Sequence, residues 1–321
     1  MITSTNVLQA ILQAEQKIRP YIRKTPLEYS HLLSKTTRSQ VYLKLENLQF
    51  TGSFKVRGAM NALLSLPKEQ SPSGVVAASS GNHGIAVAFG LNTLNINGTI
   101  FVPEDTSSSK VAAIRNYEVD TRFWSTDCLE TEIYARSYAE QNEMLYLSPY
   151  NNLQVVGGQG TIGVELCQQL KHIDVVLAAL GGGGLISGIA EYLKTVFPHA
   201  EFIGCSPMHS PVMAKSVQAG QILEMESLPT LSDGTAGGIE KDAITFPLCQ
   251  RLVDDFILVS EEEIRHATRL FIETHHMLIE GAAGVPLAAL LKIPERFRGK
   301  TVVIILCGAN LSLETLITIL V

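Results

Sequence analysis

The chain has 321 residues and a formal net charge of −6, with 46% hydrophobic and 17% charged residues. This composition is typical of a well-buried globular protein and excludes a disordered one. The sequence has no basic stripe and no run of like charges, so we do not expect nucleic acid or an anionic membrane surface as a partner. The length fits one large domain or two modest ones.

The cysteines and the N-terminal segment predict a cytoplasmic protein. The five cysteines are odd in number and form no C-x-x-C pair, which is typical of reduced thiols. The segment MITSTNVLQAILQAEQKIRP has an amphipathic helical pattern and lacks the basic-then-apolar order of a signal peptide. The longest apolar stretch, DVVLAALGGGGLISGIA, is interrupted by four glycines, so we expect no membrane span.

Hydrophobic periodicity predicts strands that alternate with helices in the first half of the chain. In order, the segments are the strand VYLKLE, a helix that begins near Lys55, the strand GVVAA, the loop SSGNHG, the helix IAVAFGLNTL, the strand TIFVP, the helix SKVAAIRNY, the strand VDTRFW, the helix CLETEIYARSYAEQ and the strand EMLYLSP. Asp127 and Glu130 have the spacing of a capping box at the start of the last helix.

The second half continues the alternation. Its segments are the helix TIGVELCQQL, the strand DVVLAAL, the helix LISGIAEYLKTV, the strands EFIGCS and DFILVS, a helix that begins after Ser260, the strand TVVIILC and a short final helix. Ser260 and Glu263 form a second capping-box pattern. This alternation predicts an α/β fold with doubly wound parallel sheets and helices on both faces. Pro, Ser, Asn and Gly cluster near Leu66–Gly74 and Tyr150–Gly158, where we expect domain breaks.

The sequence GGGGL, Gly181 to Leu185, lies directly between a predicted strand and helix. Bare backbone N–H groups at a helix start bind phosphate well, and four adjacent glycines cost folding entropy, so we favour phosphate binding over a plain tight turn. The segment GQGTIG (Gly158 to Gly163) matches a dinucleotide fingerprint, but the acid expected about twenty residues later is missing. We interpret it as a chance match at a helix entry.

Two further loops follow predicted strands, where ligands gather in open α/β sheets. SSGNHG, Ser79 to Gly84, offers hydroxyls, an amide, an imidazole and free N–H groups for a carboxylate. An ordinary turn with Ser and Asn as capping residues is the alternative. The motif CGAN, Cys307 to Asn310, does not indicate a binding site by itself, since a buried cysteine at a strand end most often only packs in the core.

Lys55 stands in the first turn of its predicted helix, flanked by Phe54 and Val56. The helix dipole and the apolar neighbours both lower the pKa of its amine, and a neutral amine can attack an aldehyde. Spacing alone would favour a solvated surface lysine. Together with a phosphate turn and a carboxylate loop, however, Lys55 completes the parts needed to bind pyridoxal phosphate and an amino acid.

Five ordered motifs, SFKVRGA, SSGNHG, GQGTIG, GGGGLISG and CGAN, resemble those of the serine/threonine dehydratase and serine racemase family. The resemblance covers nearly the whole chain. It implies a tryptophan-synthase-β-like fold (fold type II) in which pyridoxal phosphate lies between two domains. The large cofactor-binding domain would comprise residues 1–70 and 151–321, and the small substrate-binding domain residues 71–150. A homodimer is also implied.

The resemblance also implies the roles of individual residues. Lys55 would join the cofactor and then move the proton of the substrate's Cα. The other cofactor-binding residues would be Phe54, Asn82, Gly181, Gly182, Gly183, Gly184, Leu185, Gly238 and Cys307. The substrate carboxylate would be bound by Ser79, Ser80, Gly81, Asn82 and His83.

A cysteine thiol facing the pyridine nitrogen, the role implied for Cys307, cannot act as a counter-ion to a protonated ring. This favours α,β-elimination, which converts L-serine to pyruvate or L-threonine to 2-oxobutyrate and releases ammonia. Ser80 is typical of serine racemases and hydroxyaspartate dehydratases, so these activities are alternatives, and a hydroxyl opposite Lys55 could return a proton to Cα. A cysteine-synthase-like β-replacement enzyme and a non-catalytic pyridoxal-phosphate carrier are less favoured.

The divalent-cation site of the racemases uses acids where this chain has Ser206 and Val212, so we expect no such metal site. His275 and His276 lack metalloprotease spacing and are interpreted as helix surface and core. Biosynthetic threonine dehydratases continue into a regulatory domain after this point, so we expect a degradative role in amino-acid catabolism.

Overall fold

The computed structural model describes residues 3–67 and 73–321. Its strands are β1 (Leu27–Tyr29), β2 (Gln40–Leu45), β3 (Val75–Ala78), β4 (Gly98–Val102), β5 (Asp120–Phe123), β6 (Leu145–Tyr146), β7 (Val175–Ala179), β8 (Glu201–Pro207), β9 (Asp255–Val259) and β10 (Thr301–Leu306). Its helices are α1 (Ser4–Ile18), α2 (His31–Thr37), α3 (Lys55–Leu64), α4 (Asn82–Leu94), α5 (Ser108–Arg115), α6 (Cys128–Gln141), α7 (Leu153–Gln169), α8 (Gly184–Val196), α9 (Val212–Ala219), α10 (Thr245–Leu252), α11 (Glu261–His275), α12 (Gly281–Lys292) and α13 (Leu313–Leu320). In this part of the chain, no helix combines the length and apolar character that crossing a bilayer requires.

The strands form two sheets, one of six strands in the order β1-β2-β10-β7-β8-β9 and one of four in the order β5-β4-β3-β6. All pairs are parallel except β1 with β2, so the predicted parallel architecture is confirmed with one antiparallel strand at an edge. The final strand β10 lies between β2 and β7, with Ile304 opposite Leu43 on one side and Leu177 on the other. The last strand in the chain therefore occupies a central position in the large sheet.

Most predicted elements are confirmed, and the differences have local causes. Helix α7 begins at Leu153, where Asn152 caps two backbone N–H groups, rather than at Thr161. The GQGTIG motif therefore lies inside a helix, and its interpretation as a helix entry is wrong. Its glycines allow α7 to pack closely on α8, since a Cβ on Gly160 would lie 2.9 Å from the Gly188 carbonyl oxygen. The strand predicted from EMLYLSP is reduced to β6.

The two capping-box predictions have different outcomes. Ser260 and Glu263 exchange both hydrogen bonds, at 3.2 and 2.7 Å, so a capping box begins α11 as predicted. Asp127 accepts from the Glu130 N–H at 2.9 Å, but the Glu130 carboxylate accepts from Ser125 instead of returning to the cap. The capping box predicted at Asp127 is therefore only half formed.

The hydrophobic core follows the two sheets but crosses the predicted domain bounds. The cluster around the four-stranded sheet includes Ile18 of α1 and Met60 of α3, which precede that sheet in the chain. Part of the break predicted at Leu66–Gly74 (residues 68–72) lies outside the described residues. The break predicted at Tyr150–Gly158 covers a turn and the start of α7. The domain bounds stay a prediction.

Candidate active site

Lys55 is the first residue of α3, and the loop before it is attached to the end of β10. The Phe54 N–H donates to the Cys307 carbonyl at 3.0 Å, and the Ala309 N–H donates to the Gly52 carbonyl at 2.9 Å. Gly52 makes this close pairing possible, because its φ of 70° is left-handed and a Cβ there would lie 2.5 Å from the Asn310 amide oxygen. The central strand β10 thereby determines where the lysine begins its helix.

The Lys55 amine lies in an enclosed, weakly polar environment. Burial lowers its pKa to about 8, although the Glu280 carboxylate opposes this by stabilising the charged form. The predicted direction of the pKa shift is therefore confirmed, with burial as its main cause. Nζ donates to the Pro149 carbonyl at 3.1 Å and lies 5.2 Å from the Phe54 ring centroid. With this pKa, about half of the amine is neutral at pH 8 and about one-tenth at pH 7.

The glycine turn, Gly181 to Gly184, joins β7 to α8 beside the end of β10. Within residues 3–67 and 73–321, its N–H groups donate no hydrogen bond. Gly183 has a φ of 83°, and a Cβ on Gly182 would overlap the Tyr150 ring, so side chains are excluded here. Bare N–H groups at the positive end of α8 suit a phosphate.

The Thr245 hydroxyl lies near this turn but outside both cavities. Its Oγ1 atom has no hydrogen-bond partner among the described residues, and its Cβ would lie 3.3 Å from a Cβ on Gly183. The bare N–H groups of the turn and the Lys55 amine, which line one cavity, together fit a phosphorylated aldehyde. This structure therefore suits pyridoxal phosphate.

The loop Ser79–His83 follows β3 and leads into α4, which begins at Asn82 rather than after the loop. The Asn82 amide donates to both oxygens of Glu280, at 2.8 and 3.0 Å, and its own oxygen accepts from the Asn310 amide at 2.6 Å. Burial and the nearby Lys55 charge lower the pKa of His83 to about 3, so its imidazole is neutral. Its Nε2 donates to the Leu147 carbonyl at 2.8 Å.

Cys307 and Glu280 are both buried and line the inner cavity. Burial raises the pKa of the Cys307 thiol well above its ordinary range, so the thiol is neutral. Burial also raises the pKa of Glu280 to about 7, against the stabilising hydrogen bonds from Asn82 and the Asn310 N–H. The Cys307 Sγ lies 4.0 Å from a Glu280 oxygen. Because its thiol is neutral, Cys307 provides no negative charge that could balance a positive charge at this end of the cavity.

Two adjoining cavities gather all the predicted site residues. The inner cavity, of about 50 Å³, is lined by Phe54, Lys55, Asn82, Gly181, Gly182, Gly183, Gly184, Leu185 and Cys307 among others. The outer cavity, of about 400 Å³, is lined by Lys55, Ser79, Ser80, Gly81, Asn82, His83, Gly182 and Gly238 among others. Gly238 lines the outer cavity but not the inner one. The individual roles stay predictions.

Several lining residues were not found from the sequence. The most informative are Pro149, Tyr150, Lys110, Asp233 and Thr235. Pro149 and Tyr150 follow β6, so the rule that ligands gather at the carboxyl ends of parallel strands would have identified them. The segment that carries Asp233 and Thr235 has no comparable signal, because it crosses the cavity through long-range packing alone. Lys110 and Asp233 pair across the mouth at 2.9 Å.

Comparison with known proteins agrees with this geometry. The family model of pyridoxal-phosphate dependent enzymes matches residues 18–308, and the chain belongs to this family. It is 39% identical to the L-threonine ammonia-lyase of Geobacter sulfurreducens over 95% of this chain and 76% of that protein. Its fold is the fold type II architecture of pyridoxal-phosphate enzymes, and its cofactor is pyridoxal phosphate.

Two solved structures extend the likeness. Processed threonine deaminase isoform 2 of Solanum lycopersicum has a TM-score of 0.93 and 30% identity, covering 99% of this chain and 93% of that one. Maize serine racemase has a TM-score of 0.91 and 30% identity, covering 97% and 95%. The protein is a lyase by its relationship to these families.

Proposed function

We propose that this enzyme catalyses α,β-elimination of L-threonine, L-serine or both, giving 2-oxobutyrate or pyruvate and ammonia. One observation carries the proposal: Lys55, the glycine turn and the Ser79–His83 loop all line two adjoining cavities. A carrier that only bound the cofactor would need no carboxylate loop. The threonine-acting relative and the threonine deaminase structure support a hydroxy amino acid as substrate.

The chain would bind both molecules through residues at the ends of its strands. The N–H groups of Gly181 to Gly184 and Leu185 would bind the phosphate, and the loop Ser79–His83 the substrate carboxylate. Phe54 would pack beside the ring, Asn82 would hydrogen-bond its hydroxyl, and Gly238 would leave room at the entrance. Bound pyridoxal phosphate supplies an aldehyde for amines and an electron-withdrawing ring. Cys307, as a neutral thiol, would leave the ring nitrogen without a counter-ion.

Lys55 would act twice. Its amine would hold the cofactor in the resting enzyme and, once displaced by the substrate's amino group, Nζ would take the proton from Cα. Because burial lowers its pKa to about 8, the displaced amine is able to accept a proton near neutral pH. Loss of the β-hydroxyl as water and later hydrolysis leave the 2-oxo acid and ammonia.

A direct assay tests the reaction. Purified holoenzyme is incubated separately with L-threonine, L-serine and L-threo-3-hydroxyaspartate, and 2-oxo acid and ammonia are measured together. Equal amounts of both products from L-threonine or L-serine are expected. Release of products only from hydroxyaspartate would favour the hydroxyaspartate dehydratase alternative, and absence of products from all three would reject elimination.

Serine racemisation is a second candidate, because Ser80 lines the outer cavity together with Lys55. The hydrogen bonds of this loop in the described chain involve Ser79 and Asn82, and none joins the Ser80 hydroxyl to an activating base. We therefore propose elimination as the main reaction and racemisation as a minor one. Chiral chromatography of the serine left after partial reaction measures it, and D-serine exceeding pyruvate would reverse this order.

We also propose that the protein is a cytoplasmic homodimer. The described cysteines are all free, which suits a reducing compartment. Light scattering of the purified protein tests the dimer, which should have twice the mass of one chain.

A further inference from the structure

The turn of residues 148–151, between β6 and α7, contacts both halves of the inner cavity. Its Pro149 carbonyl accepts from Lys55 Nζ at 3.1 Å. Its Tyr150 ring lies so close to Gly182 that a Cβ on that glycine would overlap it. The position of the 148–151 turn therefore affects where the Lys55 amine lies relative to the glycine turn.

Glu240 binds this turn through both carboxylate oxygens and its backbone. One oxygen accepts from the Ser148 hydroxyl at 2.7 Å, and the other accepts from the Asn151 amide at 2.7 Å. The Glu240 N–H donates to the Tyr150 hydroxyl at 2.9 Å. Arg136 of α6 pairs with the same carboxylate at 2.8 Å. Three of the four residues of the turn thus bond directly to Glu240.

We propose that Glu240 is a positioning residue that sets the Lys55 amine and the glycine turn through the 148–151 turn. Glu240 lines neither cavity, so it acts through residues that do. The inference rests on the proposed role of Lys55 as the cofactor lysine. The segment that carries Glu240 lies between α9 and α10, and a single short 3-10 turn, Asp233–Thr235, is its regular structure. Side-chain hydrogen bonds therefore provide much of its attachment to the rest of the protein.

The site favours a carboxylate at position 240. Both oxygens face donors, and hydrogen bonds to a charged acceptor are about twice as strong as neutral ones. A glutamine carries no charge opposite Arg136, and with its one acceptor oxygen towards Asn151 its NH₂ group would have to reverse the hydrogen bond with the Ser148 hydroxyl, which also accepts from the Asn151 N–H. An aspartate keeps the charge and both acceptors with a shorter reach.

The test compares loading of the cofactor with turnover. Apoenzyme of Glu240→Gln is mixed with pyridoxal phosphate, and the loading rate is measured from the visible absorbance of the cofactor attached to Lys55. The kcat and KM of the loaded enzyme are then determined. We expect the loading rate and kcat to fall about tenfold or more, since a misplacement near 1 Å has effects of this size or larger. KM should change less, because the hydrogen bonds and the ion pair of Glu240 in the described chain go to Ser148, Tyr150, Asn151 and Arg136 and not to the Ser79–His83 loop. Glu240→Asp should restore part of the loading rate and of kcat.

Glu191→Gln is the matched control. It removes another carboxylate that pairs with an arginine, Arg251, at 2.6 Å, but one outside both cavities and without a bond to the turn. Loading and kcat of this variant should stay near those of the wild type. If Glu240→Gln loads and turns over like Glu191→Gln, Glu240 is only a structural contact and the inference is wrong.

Two further measurements keep the test decisive. If Glu240→Gln does not fold, Ser148→Ala replaces it, since this change removes one donor and keeps the carboxylate. Slower loading is expected again, and unchanged loading would overturn the inference. Borohydride trapping in wild-type holoenzyme should label Lys55. A label elsewhere would reject the proposed role of Lys55, whereas a Lys55 label with normal loading of the variants would reject the role of Glu240 alone.

Discussion

Two buried titratable groups of opposite type share the inner cavity. Burial lowers the pKa of the Lys55 amine to about 8 and raises that of the Glu280 carboxyl to about 7. Both shifts favour the neutral form, because charge is poorly solvated there. The site therefore has a proton acceptor and a proton donor whose pKa values lie close to neutral pH.

Replacing Lys55 by alanine should remove the covalently attached cofactor and nearly all turnover. Loss of the proton-transfer group alone should lower kcat by about 10²- to 10⁴-fold. Absorbance spectroscopy of the loaded protein and the 2-oxo acid assay measure the two effects. Lys55→Arg keeps a cation there but provides no neutral amine, and it should behave like the alanine variant. Retention of the visible absorbance in either variant would contradict the assignment.

Glu280→Gln should make stability less dependent on pH. A pKa raised to about 7 means that the folded state keeps a proton which the unfolded chain loses, so Glu280 favours folding below about pH 4.5 and this contribution is lost as the pH rises to 7. The full effect is about 3 kcal/mol. Urea unfolding of apoenzyme at pH 5 and pH 8 measures it.

The comparison of Glu280→Gln with the wild type cancels the contributions of other groups. The difference in unfolding free energy, variant minus wild type, should be larger at pH 8 than at pH 5. An identical pH dependence in both proteins would show that Glu280 does not titrate as a buried carboxyl.

At the scale of elements, the site is assembled at the ends of neighbouring strands. β10 pairs with both β2 and β7, so the Cys307 loop and the glycine turn emerge side by side. An isolated bridge between Ser53 and Gly308 then ties the loop before α3 to the same point. Backbone pairing, rather than a flexible side chain, thus brings Lys55 close to the glycine turn.

Gly52→Ala should weaken this attachment. A left-handed φ of 70° costs an alanine about 1–2 kcal/mol, and its Cβ would also displace the Asn310 amide that bonds Asn82 and the Thr51 carbonyl. We expect lower stability and weaker cofactor binding, measured by urea unfolding and by titration of the apoenzyme.

Gly299→Ala is the control for this change. Its φ of 74° is nearly the same, but among the described residues no heavy atom beyond its chain neighbours lies within 4 Å of the position of its Cβ. The control should lose a similar conformational energy and keep normal cofactor affinity. Equal affinity in the two variants would show that the contact with Asn310 does not affect the site.

At the scale of the whole molecule, a buried ionic cluster lies where the packing of the two sheets meets. Arg57 of α3 donates to Glu46 at 2.7 Å and to Glu165 of α7 at 2.8 Å, and Lys44 of β2 pairs with Glu165 at 2.5 Å. Burial alone would raise the pKa of Glu165, but Arg57 and Lys44 lower it to about 2. These bonds join the helix that carries Lys55 to the large sheet.

Arg57→Met should strongly destabilise the protein. It leaves Glu46 and Glu165 buried with fewer partners, a change that typically costs about 3–5 kcal/mol. Arg122→Met, which removes a half-exposed pair with Asp120, should cost no more than about 1 kcal/mol. Urea unfolding of both variants measures the difference, and equal losses would contradict the importance of the buried cluster.

Local patterns in the sequence predicted most elements and the motifs of the site. Apolar periodicity located strands such as β7 and β10. The loops at Lys55, Ser79 and Gly181 were identified because the chemistry of lysine, hydroxyl and glycine residues can be inferred from single positions in the sequence. The start of α7 was misplaced, since Asn152 rather than a change in periodicity begins the helix. Pro149 and Tyr150 follow β6, and the strand-end rule was not applied to them. Glu240 was not connected with the site because its hydrogen bonds join segments far apart in the chain.

The sequence by itself determined the alternation of strands and helices, the lysine at the start of α3 and the glycine turn before α8. These properties depend on neighbouring residues and on the intrinsic chemistry of each side chain. Only the tertiary structure decided that β10 lies between β2 and β7, that Glu280 is buried with a pKa of about 7, and that Glu240 bonds the 148–151 turn. Strand order, burial and long-range hydrogen bonds arise from packing across the whole chain, which no local pattern encodes.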